Sequence, residues 1–173
     1  MVCHVLCSGA GCDKRELLGD RLEYGLSRSM YGGAVYRFSC SPGAVMEGSS
    51  TVFCDGKEWN GTKPECLVAP HPPSLSVIID NIQVENPAVS VGQDVTLACH
   101  SLGGNPAPTI SFYLNGEKVG EDGHISAVFT FTVGQHHDGM RMSCAAMNKV
   151  QKYPVSSVYQ VLTIKCKYSL VSQ

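Results

Sequence analysis

Charge is what this 173-residue sequence has least of. Only 16% of its residues are Asp, Glu, Lys or Arg, the net charge is −2, and neither sign forms a run. Nucleic acid and anionic membrane surfaces are normally met with a basic patch, so neither is expected as a partner. No window approaches the roughly 20 consecutive apolar residues of a transmembrane helix, so this segment is not expected to insert into a membrane. Residues 1–11 lack a basic start, and their apolar stretch breaks after a few positions, so no signal peptide is read there. There is no G-x-S-x-G elbow, no H-E-x-x-H helix and no phosphate-binding glycine loop ahead of a helix. No catalytic residue, cofactor or small-molecule substrate is therefore expected.

What the chain does have is nine cysteines, 18 glycines and 9 prolines. The Gly and Pro content implies short strands and many turns. The cysteines either form disulfides in an oxidising compartment or bind metal in a reducing one. Zinc prefers tight C-x₂₋₄-C pairs, and the closest approach to that spacing is Cys3–Cys7, with His4 and Cys12 nearby. The later cysteines, at 12, 40, 54, 66, 99, 144 and 166, are spread as loop-stapling disulfides are. The expected location is extracellular.

Residues 1–11 form an irregular N-terminal segment, and a region of about 55 residues follows, from Cys12 to Cys66. Within it, Ala34–Ser39 and Thr51–Cys54 alternate as strands do, and Ser41-Pro42-Gly43, Gly48-Ser49 and Asp55-Gly56 read as turns. Four cysteines allow three connectivities, and composition does not choose among them. Trp59, the only tryptophan, is expected to plug a small core.

The order Cys12, Gly33, Phe38, Cys40, Gly43, Gly48, Cys54, Trp59, Pro64, Cys66 resembles the sushi (complement control protein) module. The resemblance implies pairing of first cysteine with third and second with fourth, Cys12–Cys54 and Cys40–Cys66. Two departures are Ala44-Val45, where the family usually has an aromatic, and the long polar stretch 15–30. Residues 67–73, LVAPHPP, are expected as an extended polyproline linker, with His71 exposed.

From Ser74 a period of two sets in. Val95, Leu97 and Cys99 share a face, as do Ile110, Phe112 and Leu114, then Phe129, Phe131 and Val133, then Met140, Met142 and Cys144. Several half-buried strands at short spacing suggest an antiparallel sandwich. Asn115-Gly116 predicts a tight hairpin, and Tyr159–Ile164 a last strand.

VGQDVTLAC, GGNPAPTISFYLNG and HDGMRMSCAAMN resemble an immunoglobulin-like domain spanning residues 74–165. The resemblance implies the inter-sheet disulfide Cys99–Cys144. The short span from Val119 to Ile125 implies a C2- or I-type domain without extra middle strands. Phe112 stands where the family has a buried tryptophan, and Met142 where it has a corner tyrosine. The tail is 166–173. Cys3, Cys7 and Cys166 remain over, and the expectation is a fragment of a larger modular protein.

The fold class expected is thus all-β, a small disulfide-stapled sushi module followed by a two-sheet immunoglobulin-like β-sandwich. The function expected is non-catalytic extracellular protein–protein recognition or adhesion. The alternatives are a complement-like innate regulator or an accessory region of a larger secreted protease. Asn60 heads the sequon Asn60-Gly61-Thr62 and is the expected glycosylation site. The outward side of the hairpin at Asn115-Gly116, with Tyr113, Asn115, Glu117 and Lys118, is the expected contact face for another protein. His136-His137-Asp138 is the most metal-like cluster. Adjacent side chains on an extended chain diverge, so it is read as structural.

Overall fold

The computed structural model describes residues 22–28, 34–54 and 59–165. The chain divides into two compact units, Met1–Val68 and Ala69–Gln173. Both are built from β-strands, as the turn-rich composition requires.

The first unit contains β1 (Leu22–Arg28), β2 (Ala34–Cys40), β3 (Val45–Glu47), β4 (Thr51–Cys54) and β5 (Trp59–Asn60), and β6 (Glu65–Pro70) begins in it. Four strands make a sheet in the order β1-β2-β4-β5, and β3 pairs with β6. The stretch read as a polar insertion, 15–30, therefore holds a strand: β1 runs antiparallel to β2 from Leu22 opposite Cys40 to Arg28 opposite Ala34. Phe38 and Val52 are buried, with Met46 and Trp59 packed against them. Burying a Phe or Val side chain contributes about 1.5–3 kcal/mol, so this core is thin. Cys40–Cys66 bridges residues 26 apart, and a loop of that length contributes roughly 3.5 kcal/mol in the chain-entropy model. Cys54 is disulfide-bonded as well. The Cys12–Cys54 pairing and the remaining cysteines, Cys3, Cys7 and Cys166, lie outside the described residues. Gly48, at φ +104°, lets the chain pass close to Pro64: a Cβ there would sit 3.1 Å from the Pro64 Cα.

The stretch expected as a polyproline spacer begins as strand, since 67–70 belong to β6. Beyond it the His71 N–H donates to the Leu102 carbonyl at 3.0 Å, and Ser101 Oγ donates to the His71 carbonyl at 3.3 Å. His71 is exposed yet tied into the second unit by its backbone.

The strands of the second unit are β7 (Ser74–Ile79), β8 (Ile82–Val84), β9 (Ala88–Val89), β10 (Asp94–His100), β11 (Gly103–Asn105), β12 (Thr109–Leu114), β13 (Glu117–His124), β14 (Ser126–Thr132), β15 (Arg141–Met147), β16 (Val155–Ser156), β17 (Gln160–Val161) and β18 (Thr163–Ile164). The path β16-β15-β12-β13-β14-β10-β7-β8 is continuous, with β17 also on β15. Only one residue pair, His124 and Ser126, joins β13 to β14, where Ile125 turns the chain at φ 60°. The path thereby folds into two layers: a front sheet (β16 and β17, β15, β12, β13) and a back sheet (β14, β10, β7, β8).

The alternating apolar residues meet between these layers. Val77, Val95, Leu97, Ile110, Phe112, Met142, Cys144 and Leu162 are fully buried in one cluster. Cys99 on the back sheet is bonded to Cys144 on the front, 45 residues apart. Phe112 lies directly opposite Cys144, so the phenyl ring occupies the place where a tryptophan is the usual filler. Met142 is fully buried and packs in this core without any polar atom to satisfy.

The expected last strand, Tyr159–Ile164, is broken. β16 and β17 pair antiparallel with β15, whereas β18 crosses over to run parallel to β9. Between β16 and β17, Ser157–Tyr159 faces only Ser143 and Cys144, which makes a bulge. Ser157 fills the gap in the ladder: its N–H donates to the Cys144 carbonyl at 2.8 Å, and its Oγ accepts from the Cys144 N–H at 3.1 Å.

Candidate recognition face

The outer face of the front sheet gathers what the residues between the strands leave exposed. β12 and β13 form a two-residue hairpin whose turn, Asn115-Gly116, has φ 49° and 87°. Only Asn, Asp and Gly enter that region at low cost, which is why this dipeptide marks the turn. Asn115 also ties the hairpin to β15. Its N–H donates to the Arg141 carbonyl at 2.8 Å, and its Oδ1 accepts from the Arg141 N–H at 2.9 Å.

Strand register assigns the faces. Tyr113 is opposite Lys118 and Leu114 opposite Glu117. Leu114 packs on the core, so Tyr113 and Lys118 point outward together while Glu117 lies on the other side of the ribbon. The expected contact set is thus divided: Tyr113 and Lys118 share the face, Asn115 is engaged in closing the hairpin, and Glu117 is not on it. The correction follows from the two-residue turn, because it pairs Glu117 with a core-facing residue.

Residues not singled out from the sequence complete the face. Asp122 lies beside Lys118, with Nζ–Oδ2 at 2.8 Å, and Ser111 Oγ donates to Asp122 Oδ1 at 2.6 Å. Donation by Lys118, then by Ser111, holds the Asp122 carboxyl below its usual value. The same contact raises the Lys118 ammonium. An exposed pair of this kind adds little stability; it fixes where Lys118 points. A shallow groove of about 450 Å³ runs beside it, with Thr109, Met147, Lys149 and Pro154 on its lining. At the other edge, Arg141 lies over the Tyr159 ring at 4.9 Å, and Val161 pairs with Arg141. Tyr159 is 54% exposed and Val161 43%. The bulge at Ser157–Tyr159 breaks the period of two, so alternation alone could not have placed Tyr159.

The sequence model of the family described as immunoglobulin domain matches residues 79–166, and that of the sushi repeat (SCR repeat) matches residues 20–66. The chain belongs to the immunoglobulin domain family. A sushi repeat precedes the immunoglobulin domain. No curated protein matches the chain. Among solved structures it is similar to the crystal structure of Rst D1-D2, at 19% identity and a TM-score of 0.47, covering 76% of this chain and 63% of that one. It is also similar to the full ectodomain (Ig1–Ig3) of mouse nectin-like molecule 4, at 18% identity and a TM-score of 0.46, covering 85% and 52%. The chain thus spans less than two thirds of either structure. Sushi and immunoglobulin domains stapled by disulfides are module types of extracellular proteins. Among the described residues no helix is long and apolar enough to cross a membrane.

Two other expected positions lie away from this face. In the immunoglobulin domain, His136 and His137 stand on a 3₁₀ turn, Gln135–His137, and not on extended chain. The expectation that their side chains diverge fails, because a 3₁₀ turn brings neighbours around one side: the ring centroids are 3.9 Å apart. His137 Nδ1 accepts from the Gly134 N–H at 2.9 Å, and its ring meets Phe131 edge-on at 5.3 Å. Burial, then the neighbouring His136, pushes the His137 imidazole below its usual value. Asp138 Oδ1 accepts from the Ile164 N–H at 2.9 Å. Among the described residues no group of three His, Cys, Asp or Glu could hold a metal ion. In the sushi repeat, Asn60 is exposed on β5 opposite Phe53, ahead of Gly61 at φ 113°.

Proposed function

We propose that this chain is a non-catalytic extracellular recognition or adhesion segment that presents the outer face of its front sheet to another protein. Its organisation is a sushi module over residues 12–66, a connecting stretch 67–73 and an immunoglobulin-like domain over 74–165, with an N-terminal segment 1–11 and a tail 166–173. Asn60 is the glycan acceptor in this reading, since its side chain is exposed. The observation that carries the proposal is the composition of the face: Tyr113 beside the oriented Lys118, and Tyr159 beneath Arg141, with Val161 next to it. Tyrosine and arginine provide large contact area together with polar tips, and they dominate binding hot spots. Pre-ordered side chains also lose little entropy on binding.

The test uses the full chain, clustered as a dimeric fusion, applied to intact cells and to extracellular matrix. Tyr113→Ala and Tyr159→Ala together should weaken capture by about tenfold or more, within the range of single hot-spot losses, and leave the melting temperature nearly unchanged. Equal capture by the double variant and the native chain would refute this face.

A further inference from the structure

We infer that the opposite face, the outer side of the back sheet, is a weak self-association surface on which a second copy of this chain docks. Across β7, β10 and β14, residues 74–79, 94–100 and 126–132, only Asp94 and His100 can carry charge. Asp94 lies at one end, engaged by Thr132 Oγ1 at 2.6 Å, and His100 lies at the other. The front sheet, by contrast, carries Glu117, Lys118, Glu121, Asp122, His124 and Arg141 on its strands. Two copies of a chain with net charge −2 can approach through the middle of this face, which holds no charge, with Asp94 beyond one end of the contact. Three of its hydroxyls are already turned on the protein itself: Thr96 and Thr130 share a hydrogen bond at 2.8 Å, and Ser74 Oγ donates to the His100 carbonyl at 3.3 Å. Covering them therefore leaves those two bonds intact.

Shape selects the second copy over an unrelated partner. Ser76, Ala98 and Val128 lie in one row across the three strands. Val128 projects with 72% of its surface exposed. Next to it, over the small side chains of Ala98 and Ser76, is a depression of about 280 Å³. Knob and hole are neighbours about 5 Å apart, the spacing of paired strands. A two-fold axis running along the strands between β10 and β14 seats each Val128 over the other copy's Ala98. This is the self-complementarity that an isologous contact requires. The patch is small: three strands by five residues give a footprint of roughly 250 Å², well below the ~800 Å² per partner of a stable dimer. The association is therefore weak, with a Kd of about millimolar order, and it gains strength only when copies are clustered on a surface.

The test is a dilution series of the full chain followed by amide chemical shifts, on protein freed of any disulfide-linked species. The expected result is a dimerisation curve carried by residues 74–78, 96–100 and 126–130, with Kd near 1 mM in order of magnitude. Val128→Lys, which sets two ammonium groups across the axis, should weaken association at least ~10-fold. Ala98→Ile, which fills the hole, should do the same, and both variants should keep the native pattern of shifts elsewhere. Shifts confined to the face of Tyr113 and Tyr159, no concentration dependence up to about 2 mM, or association unchanged in Val128→Lys would each overturn the inference.

Discussion

Opening the Cys99–Cys144 link tests how much of the second unit's stability comes from the cross-link and how much from its core. The bond joins the two layers between residues 45 apart. In the chain-entropy model a closed loop of that length restricts the unfolded chain by about 4 kcal/mol, out of the 5–15 kcal/mol that holds a typical domain folded. Both cysteines are buried, at 2% and 0% exposure, so simple truncation would add a cavity to the loss. Replacing Cys99 with Ala and Cys144 with Val keeps most of the sulfur volume and isolates the loop effect. With a urea m-value of about 2 kcal/mol/M, the midpoint should fall by about 2 M. Trp59, the only tryptophan, lies in the first unit, so its fluorescence follows that unit separately. Circular dichroism and amide exchange in residues 94–100 and 141–147 then follow the second. A midpoint shift below about 0.5 M would refute the reasoning, because the core would be holding the sheets together without the cross-link.

Two further outcomes are expected. Asn115→Ala should cost about 1–2 kcal/mol, since alanine resists the left-handed turn and the Arg141 N–H loses its acceptor. Asn115→Asp should cost far less, and urea melts of the two variants check the difference. The second concerns pH. Because the folded His137 has a lowered pKa, its contribution is complete above the ordinary imidazole value near 6.5. It is lost as pH falls from there through the lower folded value. Protonation would also remove the Nδ1 acceptor from the Gly134 N–H. Melting temperature between pH 7 and pH 5 should therefore fall more for the native chain than for His137→Asn, whose amide oxygen can still accept; equal slopes would sink the argument.

The sandwich was legible because its strands bury one face each. Val95-Leu97-Cys99 and Met140-Met142-Cys144 turn up buried in the predicted phase, and Asn115-Gly116 closes the predicted hairpin. Strand β1 was missed: Leu22, Tyr24 and Leu26 alternate with Glu23, Gly25 and Ser27, but three apolar positions in an otherwise polar stretch are a weak signal, and the pairing with β2 is a tertiary fact. The face of Glu117 depends on the exact length of the turn, which the dipeptide signal suggests but a single-residue shift would invert. Tyr159 and Val161 were missed for a similar reason, since the bulge at Ser157 resets the phase of the strand. The closeness of His136 and His137 required knowing that the loop tightens into a 3₁₀ turn.

That bulge also has a bearing on how the chain behaves in a crowd. An uninterrupted outer strand offers its free N–H and C=O groups in register to any stray strand that drifts alongside. Here the border of the front sheet is split into two pieces of two residues each, with the rungs between them occupied by a serine that turns inward. An intruding strand would find no run long enough to zip against. The same kink that turns Tyr159 outward, onto the proposed recognition face, thus denies entry to stray strands.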